Sequence, residues 1–260
     1  ICLLRHDGSG KNAFKNPLSF RYLDDNFIES DAVKIGKTFM DYIKKTIDPR
    51  IHVYCSLKDG NTEFDKQFGL PNGYDSHTIA DAPSGSFVGL ENTSNFNINT
   101  ILRLDAPTIF LMPSETKLLL AAAVLRNWTN GNAEVLYKEA ITSSMKEQEI
   151  AYGTQGKITD EEIETYLAQN LFSTANNTEK LQIIGEQYWV ATFINGYESY
   201  ANWRRTGYPK LIPTNYSGSM SPGVIPTRLP YPTDEYSINR ANVDTANQQQ
   251  GADKVTTHIW

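Results

Sequence analysis

The chain has 260 residues, with 30 acidic against 24 basic side chains and a formal net charge of −6. That length allows one large domain or two small ones with a substantial core, and the charge balance argues against a nucleic-acid groove, which needs clustered Lys and Arg to displace counterions. The longest apolar run, Leu118 to Leu125, falls far short of the roughly 20 residues that a bilayer-spanning helix needs.

Ile1 follows neither an initiator Met nor a signal peptide, so the chain reads as a fragment or a processed product. Residues 1 to 29 mix Gly, Asn, Asp and scattered aromatics without a sustained period and read as loop with a short strand. Ser30 is expected to cap a helix running to about Ile47. Gly36, Phe39, Met40, Ile43 and Ile47 would form one face and Lys34, Lys37, Asp41 and Lys44 the other, with Asp48-Pro49-Arg50 ending the helix. A brief alternating segment, Ile51 to Leu57, leads into a long turn-rich region marked by Asp59-Gly60, Pro71-Asn72-Gly73 and Pro83 to Gly85. Loops this long inside a folded domain are usually functional or well tied down.

A helical hairpin is expected over 113–150. Ser114 would open its first helix, with Leu118 to Leu125 as the buried body, and Asn130-Gly131 would turn the chain into a second helix from near Asn132. Ala133, Leu136, Tyr137, Ala140, Ile141 and Met145 recur there at three-four spacing. The pair looks like one tetratricopeptide-type unit, although a hairpin of any bundle would share the pattern. Thr159 with Glu162 makes a capping box for a helix over Asp160 to Gln169.

One long central helix is then expected over 178–206. Leu181, Ile184, Tyr188, Ala191 and Ile194 line one side and Trp189, Phe193, Tyr197 and Tyr200 the other, an apolar circumference that belongs in the middle of a domain. Arg204 and Arg205 suit the negative end of its dipole, Gly207 a left-handed cap, and Pro209 a stop. Residues 207–236 are Pro-rich and are expected to be extended, and a last helix, Ser237 to Gln250, closes at Gly251.

Catalytic and metal signatures fail on inspection. Gly8-Ser9-Gly10-Lys11 lacks the first glycine of a phosphate loop, with Arg5 in its place, and Asn12 stands where Ser or Thr should bind magnesium. The Asp59, Asn61, Glu63 run has Phe64 where a calcium loop turns on glycine and Leu70 where it needs a bidentate Glu. There is no Gly-x-Ser-x-Gly, Cys-x-x-Cys or His-Glu-x-x-His, and the four histidines are scattered. A glycosidase needs only two acids suitably spaced, but nothing distinguishes any pair among the 30 present. Cys2 and Cys55 could pair, which spacing alone does not show, and two isolated cysteines are more often reduced small hydrophobes. Arg204 and Arg205 could clamp an anion, with helix capping and packing on Trp203 as the plainer role. The tyrosines among the prolines, Tyr208, Tyr216, Tyr231 and Tyr236, offer flat faces for sugar stacking or pins for the loop. The aromatics chosen as ligand contacts are Trp128, Tyr216 and Tyr231; no cofactor or metal site is expected.

Several runs resemble the SusD/RagB family of bacterial outer-membrane nutrient-binding lipoproteins, and within it the SusD-like branch typical of Bacteroidetes. They are Asp48-Pro49-Arg50, Leu70-Pro71-Asn72-Gly73, Ala106-Pro107-Thr108, Met112-Pro113-Ser114-Glu115, Asn202-Trp203-Arg204-Arg205-Thr206-Gly207-Tyr208-Pro209, and Arg228-Leu229-Pro230-Tyr231-Pro232, followed by Gly251 and Asp253 before Trp260. The resemblance implies a mainly α fold of tetratricopeptide-like helix pairs with long Pro/Gly-rich loops, over the C-terminal half of a longer protein. It further implies a non-enzymatic protein that captures oligosaccharide, or peptide, on the extracellular face of the outer membrane and passes it to a SusC-like TonB-dependent transporter. Its lipid anchor would lie upstream of Ile1. Ala121-Ala122-Ala123 departs from the family's usual Ala-Glu-Ala, and altered packing inside the helix pair is expected there. The competing readings are an extracellular glycoside hydrolase and an intracellular helical-repeat scaffold.

Overall fold

The computed structural model describes residues 1–9, 11–24, 33–74, 78–172, 174–214 and 221–258. The chain divides into two units, Ile1–Pro209 and Lys210–Trp260. The first contains, in order, β1 (Cys2–Leu4), α1 (Pro17–Asp24), α2 (Lys37–Lys45), α3 (Ile51–Tyr54), β2 (Cys55–Ser56), β3 (Asn95–Phe96), β4 (Thr108–Leu111), α4 (Pro113–Leu125), α5 (Ala133–Tyr152), α6 (Asp160–Gln169), α7 (Asn177–Ala191) and α8 (Gly196–Thr206). The second contains α9 (Thr233–Ile238) and α10 (Arg240–Gln250). The strands form two antiparallel pairs, β1 with β4 and β2 with β3. The mainly α fold read from the sequence is the fold observed.

Helix starts follow local chemistry. The Asn132 side chain accepts from the backbone N–H groups of Glu134 and Val135 at the head of α5. Thr159 and Glu162 cap α6 reciprocally, as do Asn176 and Glu179 for α7. Along α5, Ala133, Tyr137, Ala140, Ile141 and Met145 are buried, and α4 and α7 pack against this helix. The turn-rich region is held by backbone bonds from Lys37 N to Leu70 O (2.7 Å) and Ile35 N to Ser94 O (2.8 Å). The buried Gln67 ties it further, donating to the carbonyls of Asn61 and Glu63 and accepting from the Ser94 hydroxyl. Both cysteines are free, Cys2 exposed and Cys55 buried.

Several expected boundaries change. Ser30 lies outside the described residues, and Val33 to Gly36 are not helical, so α2 begins at Lys37. Ile47 leaves the expected core face: its φ of 51° turns the chain out of the helix and leaves it 58% exposed. Ile51 to Tyr54 form a helical turn, and only Cys55–Ser56 of the expected alternating segment is strand. Pro113, not Ser114, is the first residue of α4, and Leu119 and Leu120 are each 42% exposed, because a period of 3.6 cannot turn successive residues toward one core. The long helix over 178–206 is two helices, separated at Thr192 to Asn195. Thr192 Oγ1 donates back to the Tyr188 carbonyl (2.8 Å), and Asn195 starts a new helix by accepting from Glu198 N. Within 207–236, Thr233 onward is helical, and the last helix begins at Arg240 after a break at Asn239.

The centre of the first unit holds a charge. The Arg50 side chain is fully buried and pairs with Asp48 through both Nε and Nη2. Arg50 Nη1 donates to Ser144 Oγ of α5 (2.9 Å) and Nη2 to Gln187 Oε1 of α7 (2.7 Å), and the guanidinium lies 5.9 Å from the Tyr166 ring of α6. Gln187 Nε2 in turn donates to the hydroxyls of Tyr166 (2.7 Å) and Tyr42 (3.1 Å). Burial opposes the Arg50 charge, but Asp48, by charge and hydrogen bond, outweighs it and holds the guanidinium above its ordinary pKa. Beside this network, Phe39 stacks on Phe193 (4.2 Å between centroids) and Tyr54 on Phe193 (4.8 Å).

Asp48→Ala leaves Arg50 buried without its counter-ion and should lower stability by about 3–5 kcal/mol, read as a shifted urea midpoint at unchanged slope. Glu147 is buried beneath Ser114, whose N–H and hydroxyl donate to it, and burial raises its pKa above 4.5. A carboxyl whose folded pKa is raised holds its proton more tightly folded than unfolded, so its stabilisation is present below the unfolded value and disappears as pH rises through the folded one. Wild-type stability relative to Glu147→Gln should therefore decline as pH rises from 4.5, and parallel urea titrations of the two proteins over that range measure it.

Candidate ligand-binding groove

The break between α7 and α8 determines where the aromatic side chains of this stretch go. Trp189 and Phe193 pack on Phe39 at 5.2 and 4.2 Å between centroids. Beyond Asn195-Gly196 the chain changes direction, and Tyr197 and Tyr200, expected as the continuation of that apolar series, emerge at the surface, Tyr197 being 92% exposed. They border an open groove of about 780 Å³, closed on its other sides by Pro17 and Leu18 at the head of α1 and by Ile109 and Phe110 of β4. That volume is within the range of small-molecule sites.

The polar groups lining the groove serve largely in its construction. Asn16 caps α1, accepting from the N–H groups of Leu18 and Ser19 while its Nδ2 donates to the Ala106 carbonyl (2.8 Å). Thr108 Oγ1 is hydrogen-bonded to His6 Nε2 (2.9 Å), and Asn195 caps α8. The contact surface on offer is mainly apolar and aromatic: Phe110, Tyr197 and Tyr200, with Tyr200 stacked on Trp203 (6.1 Å) and Arg204 over the Tyr200 ring (5.5 Å). Among the described residues lining the groove there is no Asp, Glu, His or Cys. Such a surface can stack against a flat ligand; it offers no acid–base pair. Among the described residues no cluster of three His, Cys, Asp or Glu side chains could hold a metal, and no helix is long and apolar enough to cross a membrane.

The aromatics chosen from the sequence lie elsewhere. Trp128 sits in the α4–α5 turn, exposed, with the Arg126 guanidinium 5.4 Å from its ring. Tyr231 belongs to the second unit, where its backbone N–H donates to Asp253, its hydroxyl reaches Gln250 (3.4 Å), and Arg228 lies 4.9 Å from its ring. Asp253 also accepts from the Tyr236 hydroxyl (2.7 Å) and pairs with Arg228 (2.9 Å), so Tyr231 and Tyr236 help to pin this segment onto the loop after α10. Tyr216 lies outside the described residues. Of the expected anion clamp, Arg204 covers Tyr200, and Arg205 donates to Asn202 Oδ1 (3.1 Å). The groove itself escaped the sequence reading, although Asn195-Gly196 followed by Glu198 carries the turn and cap signals that mark its corner.

Comparison with known proteins gives a consistent result. A SusD-like family profile described as "Starch-binding associating with outer membrane" matches residues 7–232. Among solved structures, a chitin-binding protein is 27% identical with a TM-score of 0.74, the alignment covering 100% of this chain and 54% of that one. A SusD homologue from Bacteroides fragilis is 26% identical with a TM-score of 0.70, covering 86% of this chain and 50% of that one. A SusD-like protein from Bacteroidetes, 22% identical, shares the fold at a TM-score of 0.78 over 100% of this chain and 60% of its own. The chain thus spans about half the length of the solved relatives it matches. No curated protein sequence matches it.

The corner can be tested without any ligand. Asn195→Ala removes the α8 cap and should lower stability by about 1 kcal/mol, whereas Tyr197→Ala, in solvent, should change it by no more than about 0.5 kcal/mol. Thermal unfolding of both variants beside the parent decides whether the corner is held by its cap or by its aromatics.

Proposed function

The chain belongs to the SusD-like family, and from that premise we propose that it is a non-catalytic nutrient-binding protein of the outer membrane's extracellular face. It captures oligosaccharide, with peptide the lesser cargo, and passes it to a SusC-like TonB-dependent transporter. The observation that carries the binding half is the groove between α1, β4 and α8, lined by Phe110, Tyr197 and Tyr200 without a carboxyl group. Pyranose rings present apolar faces that stack on aromatic side chains, and the phenol hydroxyls supply hydrogen bonds at little entropic cost. A hydrolase would need two carboxyl groups flanking the bound glycosidic bond, and the groove lining supplies neither. The likeness to a chitin-binding protein makes β-linked amino sugars the first cargo to try.

Calorimetric titration with chitohexaose, maltohexaose and a tripeptide mixture tests the reading. At least one glycan should bind, and Tyr197→Ala or Tyr200→Ala should each weaken it by about 1 kcal/mol, roughly fivefold. Chromatography of the incubated glycan should show no shortened product. Cleavage would replace this reading with a hydrolase, and failure of every glycan to bind would remove it.

A further inference from the structure

The α4–α5 turn contains an aromatic side chain left in solvent where helix-end packing would normally use it. The chain leaves α4 through a left-handed residue, Asn127 at φ 58°. Trp128 N–H bonds to the Ala123 carbonyl (3.0 Å) and Asn127 N–H to that of Val124 (3.0 Å). This is the paired arrangement in which the residue after the left-handed one usually packs back onto the last turn. Here that residue is Trp128, and it is 76% exposed. Among the described residues its ring contact is with Arg126, the residue that caps α4.

Arg126 meets a second arginine. Arg205, in the last turn of α8, lines the same small hollow as Arg126, together with Tyr188, Asn202 and Thr206. Burial pushes the Arg205 guanidinium below its ordinary pKa and the Arg126 charge pushes the same way, against Tyr188 and Glu198. Neither guanidinium has a described acid within ion-pair distance. Glu198 is engaged by the Tyr188 hydroxyl (3.0 Å). Of the five N–H donors on each guanidinium, Arg126 uses one on the Ala122 carbonyl at 3.4 Å and Arg205 one on Asn202. A favourable helix-end charge accounts for each cation at its own C-terminus; it does not account for two guanidinia lining one hollow, one of them against an exposed indole.

We propose that Trp128, Arg126 and Arg205 form a subsite for an acidic sugar, the indole stacking on the apolar face of the ring and the two guanidinia holding its carboxylate or sulfate. An oxyanion is what the two forks lack, and planar guanidinium donors match both groups in geometry. The subsite is separate from the Tyr197–Tyr200 groove and rests on the glycan-binding reading, which it narrows to glycans carrying uronic acid or sulfate ester.

The test is calorimetric titration of this chain and its variants with oligogalacturonate, a chondroitin sulfate oligosaccharide and maltohexaose, at low and at physiological salt. At least one acidic probe should bind more tightly than the neutral one and weaken with salt; which of the two binds separates carboxylate from sulfate. Arg126→Gln, Arg205→Gln and Trp128→Ala should each weaken the acidic probe about tenfold. None should change its affinity for maltohexaose or its thermal unfolding by more than about 0.5 kcal/mol. Equal binding of acidic and neutral probes, or acidic binding lost only in Tyr197→Ala, overturns the subsite while leaving the glycan-binding reading in place. Binding of inorganic sulfate as tight as that of the acidic glycans, and unaffected by Trp128→Ala, overturns the sugar assignment. If no probe binds, the subsite falls, and titration with chitohexaose decides the glycan-binding reading by itself.

Discussion

The Arg50–Asp48 pair is the constraint on which the first unit depends. A buried ion pair is a poor source of net stability, since dehydrating both charges offsets most of their attraction. Its effect is geometric: a planar fork with fixed donor directions accepts few arrangements of its partners. Those partners are Asp48 in the loop after α2, Ser144 in the middle of α5 and Gln187 on α7, with Tyr166 of α6 against its face. Apolar side chains alone would let these helices slide by fractions of a turn. The guanidinium, hydrogen-bonded to Asp48, Ser144 and Gln187 together, does not. Gln187 lies five residues before Thr192, the residue that caps the end of α7.

The departure of α8 turns core sequence into surface. Up to Phe193 the aromatic series packs on Phe39 and Tyr54; from Tyr197 it faces solvent. The change needs only local groups. Thr192 takes its own helix's carbonyl, Ser199 Oγ donates to the Thr192 carbonyl (3.0 Å), and Asn195 restarts the ladder. A helix that ran on would have kept the tyrosines in register with the core, and α1 and β4 would have had no facing wall against which to form a groove.

What the sequence made legible divides along the same line. The helix start near Asn132 and the caps at Thr159 and Gly207 were readable because each is settled by neighbours two to four positions away. The α4–α5 hairpin was readable because its period is sustained. Leu119 and Leu120 were misassigned because a continuous apolar run records composition and not direction. Asp48-Pro49-Arg50 could be read as a helix stop but not as a central charge, since Arg50's partners on α5 and α7 lie 94 and 137 residues away. The same distance hid the hollow shared by Arg126 and Arg205, the latter from a helix almost 80 positions further on, whereas Trp128 is recognisable as a loop aromatic. For Tyr197 and Tyr200, a helical period that persists through a break misled the reading, although the Asn-Gly pair within it was visible.

Net charge shows the limit of whole-chain numbers most directly. A total of −6 excludes a surface uniformly attractive to polyanions, yet recognition of a single sugar acid needs only two guanidinia whose own acids are engaged elsewhere. Both candidate surfaces are carried by α8, Tyr197 in its first turn and Arg205 in its last. Eight residues at 1.5 Å each separate them by about 12 Å along the axis, and the helical period turns them about 80° apart around it. Because one short helix fixes that separation, a ligand long enough to wrap the helix meets the second surface at high effective concentration once held by the first.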